Sequence, residues 1–169
     1  MRFSLQVHYA VCGLFDLAYN GLGEAVQVRV MSERQQIPAR YLEQIFQRLR
    51  RAGLVAGKRG PGGGYRLARA AGAITLLEIV EAVEGPVGVA ALSAEEDAGE
   101  SGGTRRRPAV GAPELELGAR APGRPDFIWP DLANRFSAVL AEISLADLCR
   151  SAARRGIPRL SQPAPDYQI

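Results

Sequence analysis

The chain has 169 residues, is 47% hydrophobic and carries a formal net charge of +3, which suits one cored domain with or without an appendage. No apolar run approaches the roughly 18 residues that a membrane helix needs, and two cysteines, Cys12 and Cys149, make no disulfide framework and agree with a reducing compartment. The apolar N-terminus, MRFSLQVHYAVCGLFDLA, lacks a basic cluster before the run, carries Asp16 and has no small-residue cleavage site, so it reads as a helix of a cytoplasmic protein and not as a signal peptide.

Taken in order, Ser4 to Asn20 is predicted helical, with Leu5, Tyr9, Cys12 and Leu17 facing inward and Asn20-Gly-Leu-Gly as its end. Val26 to Val30 could start as a strand, but Val28 to Gln35 reads better as a second helix, with Gln36-Ile37 as a turn. The next helix is the clearest in the chain. Leu42, Ile45, Phe46 and Leu49 recur at i, i+3, i+4, i+7, Pro38 suits the first turn, and Gly53 stands where a left-handed C-cap belongs. Its opposite face carries Arg40, Glu43, Gln44, Gln47 and Arg51, side chains that can bond base edges or phosphates. Leu54 to Lys58 and Tyr65 to Leu67 then form two short strands around the turn Arg59-Gly-Pro-Gly-Gly-Gly. Between Arg34 and Arg69 stand nine basic residues (Arg34, Arg40, Arg48, Arg50, Arg51, Lys58, Arg59, Arg66, Arg69) against one acid, Glu43. A generic run of this kind is a solvated face; here the charges bracket a helix and a Gly-rich wing, which favours nucleic acid. The pattern predicts a DNA-binding winged helix.

After a break at Ala70-Ala71-Gly72, Thr75 and Glu78 make a capping box for a helix whose buried face is Leu76, Ile79, Val80 and Val83, stopped by Gly85-Pro86. From Ser93 to Pro125 there is no sustained periodicity and no aromatic residue, so this stretch, with its run Arg105-Arg106-Arg107, is expected to be a mobile linker. Order resumes at Asp126-Phe-Ile-Trp-Pro. Leu132, Phe136, Val139, Leu140 and Ile143 define a helix of about a dozen residues from Pro130, and its distance from the first core suits a dimer seam. Ser144 and Asp147 form a second capping box for a short helix to Ala153, and the tail from Pro158 looks unstructured. The expected divisions are a DNA-binding domain (1–88), a linker (89–125), dimerisation helices (126–156) and a tail (157–169).

These residues together resemble the Rrf-type, IscR-like family of bacterial winged-helix transcription regulators. The resemblance rests on Met1-Arg2, Tyr9-Ala10-Val11, Ser32-Glu33-Arg34-Gln35, Tyr41-Leu42-Glu43-Gln44, Leu49-Arg50, Gly53-Leu54-Val55, Arg59-Gly-Pro-Gly-Gly-Gly-Tyr65, Glu78-Ile79-Val80 and Ala82-Val83-Glu84. Trp129-x-x-Leu132 and Ser144-Leu-x-Asp-Leu148 match its dimerisation region. It implies a mainly α fold with a small β-wing, a winged helix-turn-helix plus a long C-terminal dimerisation helix. The expected function is a homodimeric regulator, by default a repressor, on a pseudo-palindromic operator of double-stranded DNA. Base or groove contacts would fall to Arg40, Glu43, Gln44 and Arg59. Backbone contacts would fall to Arg2, Tyr41, Gln47, Arg51, Lys58, Gly62 and Tyr65, and the dimer seam to Trp129, Leu132, Phe136, Val139, Leu140 and Ile143.

The resemblance departs at Arg40, where relatives often carry a small polar residue, at Gln6, Val7 and His8, which replace a basic, glycine-containing helix start, and most of all at the cluster site. Family members with an iron–sulfur cluster use three closely spaced cysteines, yet residues 93–125 contain none, and such a cluster needs soft thiolates. Asp126 stands where the family's non-cysteine ligand would be, but alone it makes no site; Cys12 and Cys149 fall in helices, and His8, the only histidine, reads as a surface or phosphate-contacting residue. No cofactor or metal is therefore expected. Sensing by a thiol (Cys149), by a small-molecule effector or by a protein partner stays open. An enzyme is disfavoured: there is no Ser/His/Asp set, and Gly60-Pro-Gly-Gly-Gly lacks the Lys-Ser/Thr of a phosphate loop. The remaining alternative is a protein-interaction module that keeps the fold without specific DNA reading.

Overall fold

Ser4 opens the molecule by capping helix α1 (Leu5–Asn20), its hydroxyl accepting from the Val7 N–H at 3.3 Å. The computed structural model describes residues 3–60, 62–87 and 128–160; the expected linker at 89–125, Arg2, Asp126 and residues 161–169 lie outside them. The buried stripe of α1 is Val7, Ala10, Leu14 and Leu17. Of the expected inward set only Leu17 is fully buried. Leu5 is 62% exposed, and Tyr9 and Cys12 are half-buried. The helix is apolar nearly all round, so its own pattern does not set its phase; the helices packed on it do.

Helix α2 (Val28–Gln35) ends at Gln36, which takes the left-handed conformation (φ 54°) and bonds the Glu33 carbonyl through its own side chain. Two residues later Pro38 serves as N-cap, one position before the expected first turn, for α3 (Ala39–Arg51). Leu42, Ile45, Phe46 and Leu49 are all buried, each contributing about 1.5–3 kcal/mol of transfer free energy. At the C-terminus Leu54 N–H reaches the Leu49 carbonyl (2.9 Å) and Gly53 N–H that of Arg50 (3.1 Å), with Gly53 at φ 72°. This is the two-bond glycine closure expected at a helix end. Strands β1 (Val55–Lys58) and β2 (Gly64–Leu67) pair antiparallel in the register Val55↔Leu67 to Lys58↔Gly64.

A short 3₁₀ turn (Ala71–Ala73) leads to α4 (Leu76–Glu84), and α5 (Ile128–Glu142) and α6 (Leu145–Arg154) are the remaining described helices. Both expected capping boxes are present. They lie side by side: Thr75 and Ser144 form an antiparallel bridge, Leu76 N–H donates to the Ile143 carbonyl and Leu145 N–H to that of Ile74, both at 2.8 Å. Leu140 and Leu145 thereby join the same core as Ile74, Ile79 and Leu14. Helix α5 starts two residues before Pro130 and runs longer than the sequence suggested.

The two boxes carry a pH consequence. The Ser144 hydroxyl and backbone N–H hold the Asp147 carboxyl below its ordinary value. Burial pushes the Glu78 carboxyl up, but the Thr75 N–H and the Arg69 guanidinium outweigh it and leave it lowered. A carboxyl depressed in the folded state stabilises fully above its unfolded value and loses that contribution as pH falls through the folded one. The urea midpoint is therefore expected to drop as pH falls below about 4, and a Glu78→Gln, Ser144→Ala double variant should show a shallower drop over the same range. An equal drop in both proteins would remove the boxes from the acid limb.

Candidate nucleic-acid interface

The candidate interface is built on the outer face of α3. With the four apolar residues turned inward, Arg40, Tyr41, Glu43, Gln44, Gln47 and Arg51 are all exposed, and neither Glu43 nor Gln44 makes a hydrogen bond or ion pair among the described residues. Gly13 lets α1 cross tightly over this helix, because a Cβ there would lie 2.7 Å from the Phe46 ring. Tyr9 of α1 reaches Tyr41 with ring centroids 6.4 Å apart, which steadies the N-terminal end of the exposed face.

The preceding helix is held by a buried carboxylate. Asp16 is fully buried and accepts hydrogen bonds from Asn20 Nδ2 (2.7 Å), Gln35 Nε2 (3.1 Å) and Arg34 (3.2 Å). These bonds pin the end of α2 to α1, and the Ser32 hydroxyl donates to the Ile37 carbonyl at 2.6 Å across the turn. The angle between α2 and α3 is thus set by polar contacts inside the protein. Sequence reasoning missed this hub, since it used Asp16 only to argue against a signal peptide and counted Arg34 with the DNA-facing charges.

The wing is fastened at its base. Val26 and Tyr65 exchange backbone hydrogen bonds at 2.8 and 2.9 Å, and a Cβ on Gly64 would lie 2.2 Å from the Val26 carbonyl oxygen, so only glycine permits this approach. The Tyr65 ring packs on Phe46 with centroids 5.0 Å apart; half-buried, it joins the wing to α3. Beyond this anchor Lys58, Arg59 and Gly62 are exposed at the wing tip. Of the nine basic residues, three turn to internal contacts. Arg34 meets Asp16, Arg48 bonds Gln6 (2.8 Å) and the Val83 carbonyl (2.9 Å), and Arg69 bonds Glu78 (2.8 Å) and the Ala73 carbonyl (3.2 Å). Arg40, Arg50, Arg51, Lys58, Arg59 and Arg66 remain as the exposed basic surface.

The expected seam residues divide between two faces of α5. Leu140 is buried in its own protomer, and Phe136 and Ile143 are half-buried. Trp129 (46%), Leu132 (45%) and Val139 (54%) are exposed, together with Ile128. Burial pushes both thiols up: Cys149 despite Arg159 and Arg150 nearby, and Cys12, whose Sγ lies 3.8 Å from His8 Nε2 on the same helix. His8 itself is exposed. A cleft of ≈ 310 Å³ lies behind the wing, lined by Leu17, Glu24, Arg66, Leu67 and Arg69 among others.

Comparison with known proteins agrees with this fold. Residues 3–151 match the Rrf2 family, described as "Iron-dependent Transcriptional regulator". The chain is 38% identical over 156 residues to the HTH-type transcriptional regulator IscR of Cereibacter sphaeroides, covering 91% of this chain and 90% of that protein. Among solved structures it is similar to T. potens IscR, with a TM-score of 0.63 and 28% identity over 96% of this chain and 94% of that one. CymR, the global cysteine regulator of B. subtilis, shares the fold at a TM-score of 0.64 and 24% identity, covering 89% of this chain and 98% of that one.

Proposed function

The chain belongs to the Rrf2 family of transcriptional regulators, and we propose that it acts as a cytoplasmic homodimer that represses from a pseudo-palindromic operator without an iron–sulfur cluster. The observation that carries the DNA-reading part is the outer face of α3, where a carboxylate with no partner among the described residues stands among arginines beside an anchored basic wing. A carboxylate there is repelled by phosphate, so its place on the surface makes sense as an acceptor for cytosine N4 in the major groove. Arg40 and Gln44 flank it, and Arg59 at the wing tip suits the narrow, electronegative minor groove. Phosphate contacts are assigned to Tyr41, Gln47, Arg51 and Lys58, to the Gly62 backbone and the Tyr65 hydroxyl, and, on the family pattern alone, to Arg2.

The dimer is supported by the exposed apolar stripe of α5, and the cluster-free state by the donor set. An iron–sulfur cluster takes several thiolates. This chain has two cysteines, in α1 and α6, both half-buried with their thiols pushed up. That set does not fit the group. The same raised thiols speak against Cys149 as a fast thiol switch and favour a small-molecule effector or a protein partner as the signal.

Replacing Glu43 by alanine is expected to relax base preference at one position of each half-site, worth about 1–3 kcal/mol of discrimination, while affinity for non-operator DNA holds or rises. The test begins with the unaltered protein and fragmented genomic DNA at near-physiological salt, with the bound fragments sequenced. A recurrent two-fold symmetric motif identifies the operator, on which Glu43→Ala is then titrated. Fragments with no shared motif would favour an interaction module instead, and an equal loss on every sequence would remove Glu43 from base reading.

A further inference from the structure

We infer that Asn20 is a positioning residue for the helix-turn-helix, and that the segment Ile157–Leu160 is a strap that engages it from outside. The sequence reading placed this segment in an unstructured tail. It has no helix or strand, yet it is tied to the end of α1 three times. The Tyr19 hydroxyl donates to the Ile157 carbonyl (2.8 Å), the Leu160 N–H donates to Asn20 Oδ1 (2.9 Å), and the Arg159 guanidinium lies 5.0 Å over the Tyr19 ring. Tyr19 is itself stacked on Phe15 with ring centroids 5.1 Å apart, so the strap rests on a fixed platform.

What the strap supplies is an orientation. A carboxamide has one acceptor end and one donor end, and Asn20 is buried, at 7% exposure. With Oδ1 held by the Leu160 N–H, Nδ2 must face Asp16, where it donates at 2.7 Å. Reversed, the amide would set its oxygen against the Asp16 carboxylate, which also holds Arg34 and Gln35 at the end of α2. The path is short and continuous: Leu160, Asn20, Asp16, then the last two residues of α2, and from there one turn into α3. A change that lifts the chain beyond α6 therefore loosens α2 against α1 without touching DNA or the core. The proposal rests on the DNA-binding reading only for its second readout.

The test uses the full chain carrying Tyr19→Phe and Leu160→Pro. The first removes one hydroxyl and keeps the stack; the second removes the N–H that Asn20 accepts. Amide hydrogen exchange in α2 is expected to speed up about fivefold, with α4 unchanged, and operator affinity to fall by about the same factor, the scale of one or two net hydrogen bonds. Unchanged exchange in α2, whether or not residues 157–160 loosen, overturns the proposal. If protection is lost in α4 as well, Tyr19→Phe alone is read by the same criterion. Failure of the unaltered protein to bind DNA would sink the functional reading and leave the exchange result standing.

Discussion

A chain carrying Leu132→Asp and Val139→Asp is expected to be a folded monomer that has lost its operator. Both side chains lie on α5, 45% and 54% exposed, while Ala133 and Leu140 on the inner side are the buried residues of that helix. The outer stripe can thus be charged without opening the protomer core. Covering each such side chain with a partner contributes about 1.5–3 kcal/mol, and a buried unpaired carboxylate at the same place reverses the sign. Operator affinity then falls on the order of a hundredfold or more, because two half-sites no longer bind as one unit. Sedimentation reads the mass and a DNA titration the affinity, with circular dichroism as the check on folding. A dimer that survives both substitutions would move the seam elsewhere.

The local signals in the sequence were good guides where one helix face or one cap decided the structure. The i, i+3, i+4, i+7 stripe of α3 buries as its spacing demands, Gly53 takes the left-handed position, and both Ser/Thr-x-x-Asp/Glu boxes form. The wing lies within a residue of its expected strands. Three kinds of feature were not legible. The phase of α1 was missed because apolar residues surround that helix, and Leu5 faces solvent as a result. The partners of the basic residues were missed because they lie far along the chain: Arg34 meets Asp16 across 18 residues and Arg48 meets Gln6 across 42. The Leu160 bond to Asn20 spans 140 residues, and no periodicity or composition rule reaches that far. The exposed polar face of α3 was visible from its own residues, whereas what orients it was not.

That orientation is the subject of the second large effect. Asp16→Ala is expected to cost about 3–5 kcal/mol, the scale of breaking a buried charge pair by removing one partner. The Arg34 side chain is 8% exposed and Asp16 has none of its side chain in solvent, so the ion pair lies out of reach of bulk water. Removing the carboxylate also takes the acceptor from Asn20 Nδ2 and Gln35 Nε2, and unmet buried donors carry their own desolvation cost. Urea unfolding should show a large fall in midpoint with an unchanged slope. Pairing Asp16→Leu with Arg34→Met should recover part of the loss, since well-packed apolar groups often replace a buried ion pair at little cost. Recovery of stability without recovery of operator binding is the expected pattern, because apolar packing restores the free energy but not the directional bonds that set α2 against α1. A fall below about 1 kcal/mol for Asp16→Ala would mean that the surrounding donors find other acceptors, and that the buried carboxylate is not what holds the helix-turn-helix in place.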